Sequence, residues 1–525
     1  MRKYIIQIIS RNKIHNFNNY DRIGNNILKV NCVSTSAAAF DNTDLLVSNA
    51  NVLTENKLAE LKSFESLPGP KGLPLFGTLL SYVRPGGLSF RKMFKVMDMR
   101  AKQYGSVYKE TIGSNLTSVI VSDMEEYLKV IRADGKMPNR IELEPFKYFR
   151  ERNNFDIGIV NSQGLQWLEK RQILGPKIMA LSEILDHVGP INDVTMDFLK
   201  RMDEKLLDRD GLFKNLERNL FTWALEAVGT YLFEARIGCL NEPIPPFADM
   251  FITHLSGMFR EMQGLMYGPP IYKYISTRNW KRFEDHCYKI MEAGMTLIEE
   301  TSSSSALLTF LLSQKSMSAS SVNLTSIDVM IGAIETTSNS FTWMLYCLAR
   351  NPEVQEKLFE EVLQYLPNKD SPVTREVIRK MDYVRACLKE TLRFYPITFA
   401  TSRKLASEIE LKGFRIPKGT HVQANLWTIG RDERLFPHPE KFNPDRWLRK
   451  SHEVSHLATA LSHLPFGHGP RMCIGQRLAE MEIYTMVSKL IRNFKVECAE
   501  KGEVQPILMT VLTPDRPMML KFKRR

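Results

Sequence analysis

The chain has no uninterrupted apolar stretch of the roughly 18 residues that a membrane-spanning helix needs. The best N-terminal candidate, Tyr4–Ile9, is broken by Gln7 and soon followed by Arg11 and Lys13. It is also too short for a secretory signal. Cysteine is scarce and scattered: seven residues, at 32, 239, 287, 347, 387, 473 and 498, with no CxxC pair. A disulfide framework and a zinc site are therefore excluded, and a reducing compartment is favoured. No internal repeat is present. No basic run carries interleaved aromatics, which argues against nucleic acid as the partner.

What is present is a large apolar complement. Hydrophobic residues make up 43% of the 525, enough for a sizeable core and too many for a disordered or fibrous chain. By length alone three or four domains are expected, unless one large domain takes up the chain. The net charge is +12. Residues 1–40 hold six bases (Arg2, Lys3, Arg11, Lys13, Arg22, Lys29) and one acid, Asp21, so removing their +5 leaves +7. A basic remainder favours an acidic partner or surface. The basic, acid-poor first 40 residues end in Ser34–Ala39 and have the composition of a mitochondrial transit peptide. An ordinary disordered tail is the alternative.

Residues 41–66 read as a linker with a short helical patch. The segment Leu67–Gly77 contains three prolines and reads as a rigid lead into a domain covering 67–525. Leu116–Ser122 is strand-like. Helical periodicity dominates from about 140 to 400. Serine-rich stretches at 302–305 and 313–325 read as exposed loops around Ala306–Leu312. Strand-like pieces return at 398–427, followed by a Pro/Asn/Asp-rich stretch at 434–446. A last helix begins near Cys473, with Ile483, Val487, Leu490, Ile491 and Phe494 on one face. The expected class is mainly α with small β-sheets.

The chemistry concentrates in Phe466-Gly467-His468-Gly469-Pro470-Arg471-Met472-Cys473-Ile474-Gly475. Glycines permit tight turns and close approach to a flat ligand. A cysteine entering a helix feels the positive end of its dipole, which favours thiolate. Arg471 can pair with a carboxylate. Together these suit a haem iron and its propionates, with a buried structural cysteine as the alternative. A second pattern, Glu390-Thr391-Leu392-Arg393, puts opposite charges on one helix face. A third is Phe442-Asn443-Pro444-Asp445-Arg446-Trp447. A fourth lies in a helix expected from about Ser326 to Arg350, started by Thr325 and Asp328 and stopped at Asn351-Pro352. Its centre, Gly332-Ala333-Ile334-Glu335-Thr336-Thr337, is a cluster of weak helix formers. Its hydroxyls can bond backbone carbonyls and bend the helix.

These four patterns, in this order, resemble the cytochromes P-450, the haem-thiolate monooxygenases, over residues 67–525. The resemblance implies the cytochrome P-450 fold and haem b (iron protoporphyrin IX). It makes Cys473 the iron ligand, in a loop that opens at Phe466, and Arg471 a propionate partner. Trp167 and Arg171, four apart on one helix face, resemble the family's WxxxR haem contact. Arg403 reads as a further propionate partner or as a solvated arginine. Glu390, Arg393 and Arg446 are implied to form a buried structural triad. Glu335 and Thr336 are implied to deliver protons during oxygen activation. Ala333 stands where the family usually has glycine, so a slightly narrower groove is expected.

Ala333-Ile334-Glu335-Thr336-Thr337 and His463-Leu464-Pro465-Phe466-Gly467 are similar to the mitochondrial branch that hydroxylates sterols and secosteroids, vitamin D 24-hydroxylase among its members. The similarity is partial, and mixes with invertebrate ecdysteroid and detoxification branches. It implies a lipophilic substrate and electrons from NADPH through a ferredoxin reductase and an iron–sulfur ferredoxin. It also implies peripheral association with the matrix side of the inner mitochondrial membrane. Arg385 and Lys389, one turn apart, and Arg477 are the expected ferredoxin contacts, with an ordinary basic surface as the alternative. Gln476 replaces a usual arginine there. Apolar residues such as Phe251, Met258, Phe259 and Met262 fit either substrate loops or plain core. A haem-thiolate isomerase or lyase and a non-catalytic haem sensor remain alternatives to a monooxygenase.

Overall fold

The computed structural model describes residues 60–525, apart from 75, 84–85, 114–115, 302–304, 449–450, 452–453 and 461. The transit peptide expected at 1–40 and most of the 41–66 linker lie outside the described residues.

The molecule is built around one long helix, Ala319–Arg350. At 1.5 Å per residue its 32 residues span about 48 Å. Almost every residue from Val322 to Ala349 is buried, which requires packing on all sides. The helices Leu216–Phe233, Arg278–Thr301, Asp382–Phe394 and Gln476–Asn493 supply that packing. The helix starts seven residues earlier than the sequence suggests. The Ser318 side chain caps it by accepting from Ser321 N, and the serine-rich stretch after it is absorbed into the helix. Asp328, expected in a capping role, is instead paired with Arg150. The loop expected at 313–325 therefore shrinks to 313–318. Ser305, also expected to be exposed, is buried and caps Ala306–Leu312.

A four-stranded sheet, ordered β1 (Val107–Ile112), β2 (Leu116–Val121), β4 (His421–Asn425) and β3 (Ala400–Lys404), joins residues 107–121 to residues 400–425. β2 and β4 run parallel, with Ser118 opposite His421, while the other two pairs are antiparallel. A smaller core, including Val119, Val121, Tyr127, Leu411 and Val422, lies on this sheet, separate from the main helical core.

Candidate active site

The thiol loop is shaped by two glycines with left-handed backbone, Gly467 (φ +81°) and Gly469 (φ +69°). Half-buried Phe466 closes it, its carbonyl accepting from Cys473 N at 2.7 Å. Cys473 stands three residues before the Gln476–Asn493 helix. It is the one exposed cysteine among the described residues, yet protein crowds around it. Burial pushes its thiol up, while the Gly475 N–H, Arg171 and Arg140 pull it down.

Four guanidinium groups gather at this loop. Arg471 donates to Pro138 O (2.9 Å), Ser162 O (2.7 Å) and Gln163 Oε1 (2.6 Å). It lies over the Trp167 ring at 4.1 Å. Desolvation, then repulsion from Arg140, Arg403 and Arg171, brings Arg471 down to about 9. Arg140 falls to about 10, from burial and Arg403. Arg171, on the same Gly164–Ile178 helix as Trp167, meets Met179 Sδ at 3.1 Å and is lowered by desolvation. Arg403 is buried, so the solvated-arginine alternative falls. It pairs with Asp134 at 2.5 Å and donates to Ser402 O and His468 O.

Asp134 is the carboxylate that acts on this cluster, against four cations. Among the described residues, Arg471 Nη1 and Arg140 Nε are buried without a hydrogen-bond partner. An unpaired buried cation is costly, so the cluster calls for a dianion. A thiol beside guanidinium groups with donors to spare fits haem, with its iron and two carboxylates.

On the central helix, Thr336 Oγ1 donates to Gly332 O at 2.7 Å, and Ser340 and Thr342 bond back in the same way. Gly332 is exposed, with nothing within 4 Å of where a Cβ would stand. The groove therefore opens at Gly332. Ala333 packs against the core. Glu335 is 5% exposed, and its Oε2 has no partner among the described residues. Burial raises its carboxyl to about 8.

Glu390 is the hub of a satisfied charged cluster. Arg393 Nη2 and Nε donate to it at 2.7 and 2.9 Å, Arg446 Nε at 3.1 Å, Asn443 N at 2.9 Å and Trp447 Nε1 at 2.8 Å. The two arginines also hold the carbonyls of Gly430, Pro437 and Pro439. Sequence reasoning gave Trp447 no role, although it stood in the motif. It missed Arg140 and Asp134 altogether, because neither belongs to a spaced pattern.

The expected docking face is less open than its sequence suggests. Arg385 is half-buried and tied to Asp382 (2.5 Å), Ile378 O and Arg379 O. Lys389 is half-buried over the Trp447 ring at 5.9 Å. Gln476 is buried: its Nε2 donates to Glu480 Oε1 and meets His463 Nδ1, both at 2.9 Å. It is a bridge within the fold. Arg477, next to it, is half-buried.

A thiol loop, a guanidinium cluster with buried donors to spare and a hydroxyl-lined central helix define a haem-thiolate protein. The family model for cytochrome P450 matches residues 67–522, and the chain belongs to that family, in its mitochondrial branch. It is 41% identical to Cytochrome P450 10 of Lymnaea stagnalis, over 92% of this chain and 90% of that one. It is 32% identical to the mitochondrial 1,25-dihydroxyvitamin D(3) 24-hydroxylase of Rattus norvegicus, over 89% and 90%. It is 30% identical to the mitochondrial cholesterol side-chain cleavage enzyme of Oncorhynchus mykiss, over 90% and 92%. The protein is a monooxygenase with haem b as its cofactor.

Proposed function

We propose that this monooxygenase hydroxylates a sterol or secosteroid in the mitochondrial matrix, with electrons from NADPH through a ferredoxin reductase and ferredoxin. The carrying observation is Cys473, set among four guanidinium groups, two of which keep a buried donor without a partner among the described residues. The mitochondrial sterol and secosteroid enzymes among its relatives support the substrate class and compartment. The basic first 40 residues support import, with residues 67–525 as the enzyme domain.

When bound, haem supplies the activation of dioxygen. Cys473 Sγ would hold the iron. Arg471, Arg140 and Arg171 would take the haem carboxylates, and Trp167 supports Arg471 from below. Arg403, engaged with Asp134 and His468 O, holds the loop in place. Glu335 keeps a proton at neutral pH because its value lies near 8. The Thr336 hydroxyl, exchanging its bond to Gly332 O for a bond outward, passes protons into the groove. Glu390, Arg393 and Arg446 are structural.

The membrane reading rests on two exposed apolar segments. Leu73, Phe76, Leu80 and Val83 form one; Ile271, Tyr274 and Ile275 form the other. The ring stack Tyr82–Phe90–Tyr267, with centroids 4.5 and 5.0 Å apart, brings the two segments together. Exposed apolar surface of this kind marks a membrane or partner contact.

The test reconstitutes the protein with ferredoxin, its reductase and NADPH, and screens sterols, secosteroids and ecdysteroid precursors by haem absorbance shift and product. Oxygen-dependent hydroxylation of a sterol-class compound is expected. Rearrangement without oxygen, or binding without turnover, would instead identify an isomerase or a sensor. Cys473→Ala should abolish the red-shifted Soret band of the reduced carbon-monoxide complex, and its survival would move the ligand elsewhere.

A further inference from the structure

One short segment, residues 150–163, touches both halves of the site. At its start, Arg150 forms a two-pronged pair with Asp328 of the central helix: Nη2 to Oδ1 at 2.5 Å and Nη1 to Oδ2 at 3.1 Å. Both side chains are essentially unexposed. Such paired donation fixes direction as well as distance. Gly158 (φ +75°) is pressed onto the pair: a Cβ there would stand 1.9 Å from Asp328 Oδ2 and 2.1 Å from Arg150 Nη1. At its end, Ser162 O and Gln163 Oε1 accept from Arg471 of the thiol loop. Midway, Asp156 accepts from Lys170 at 2.6 and 2.7 Å and from Ser321 at 2.9 Å. That ties the segment to the helix of Trp167 and Arg171 and to the start of the central helix. Asp328 lies one turn before Gly332 and two before Thr336, on the same face.

We propose that residues 150–163 act as a strut, with Arg150 and Asp328 as positioning residues that set the Gly332–Thr336 turn against the Cys473 loop. The inference rests on the reading of Thr336 as proton relay, but its structural content does not depend on that reading. The Arg150–Asp328 pair fixes the central helix in rotation and along its axis. Arg471 fixes the loop on the other end of the same rigid piece.

The experiment compares holoenzymes carrying Asp328→Asn, Arg150→Gln and Arg150→Lys. The last keeps the charge and loses the fork, so it serves if the others fold poorly. Three readouts are taken: the reduced carbon-monoxide spectrum, peroxide released per NADPH, and amide hydrogen exchange along the central helix. The strut predicts a retained thiolate-type band, at least a threefold rise in peroxide per NADPH, and at least tenfold faster exchange at 332–336. Exchange at 342–350 should stay unchanged. Uniformly faster exchange with unchanged peroxide yield would reduce the pair to a stability element and overturn the proposal. Unchanged exchange at 332–336 would overturn it as well, whatever the turnover. Thr336→Ala, measured alongside, separates the two readings. If it releases no extra peroxide, the relay assignment fails, and the exchange data alone decide the strut.

Discussion

Thr336 and Glu335 are neighbours in sequence but face different surroundings. Thr336 is half-buried, with its hydroxyl on the Gly332 carbonyl, whereas Glu335 is buried with one oxygen unpartnered among the described residues. Thr336→Ala should therefore keep haem and substrate binding but release peroxide in place of product, which product formed per NADPH consumed will measure. Loss of a proton-transfer group typically costs about 10²–10⁴-fold. Glu482, on the last helix, is a second buried carboxyl whose Oε1 has no partner among the described residues. Burial raises it to about 8 from 4.5. Folding thus favours its protonated form, and that contribution is complete below about 4.5 and is lost as pH rises through 8. Glu482→Gln should match the parent in denaturation at pH 5. At pH 9 it should be the more stable, by a few kcal/mol at most, since one pH unit of separation is worth about 1.4 kcal/mol.

At the scale of elements, the Asp382–Phe394 helix and the loops after it are joined through Glu390. Because Arg393 and Arg446 share the Glu390 carboxylate, Glu390→Gln leaves two buried guanidinium groups without their counter-charge. It should destabilise by about 3–5 kcal/mol, read by chemical denaturation of the holoenzyme. The same helix carries the expected ferredoxin contacts, and the structure ranks them. Arg385 is held by Asp382 and two carbonyls. Lys389 lies over the Trp447 ring, with its ammonium lowered by burial, and no hydrogen bond or ion pair ties it down among the described residues. Lys389→Glu should weaken ferredoxin binding more than Arg385→Glu does, and the difference should shrink as salt rises. Equal losses in the two variants at low salt would overturn the ranking, and affinities equal to the parent's would move the docking site elsewhere. Adding charge at 476 is not a neutral gain, since Gln476 bridges His463 and Glu480.

For the molecule as a whole, no described helix is long and apolar enough to cross a membrane, and yet Tyr274 and Ile275 are 87% and 67% exposed. The Tyr82–Phe90–Tyr267 ring stack connects the neighbourhoods of their segment and of Leu80–Val83. The combined replacement of Leu80, Val83, Ile271 and Ile275 by Asp should cut cosedimentation with cardiolipin-containing vesicles several-fold while leaving the carbon-monoxide spectrum intact. Unchanged cosedimentation would assign this surface to another contact.

The sequence by itself determined the glycine-rich loop around Cys473, the Glu390/Arg393 pair, the Glu335–Thr336 turn and the mainly helical class. These are short-range patterns, set by spacing along one turn or one helix face, and spacing is readable without a fold; Arg446 joined Glu390 only as what the family resemblance implied. Only the tertiary structure decided the start of the central helix, because Ser318 caps it and the serines that follow are buried by packing. Only the fold brought Arg140 and Asp134 to the loop, added Trp447 to the charged cluster and joined Arg150 to Asp328. Those contacts satisfy buried charges across up to several hundred residues of chain. Charge compensation of that kind depends on which surfaces meet, which no local pattern encodes.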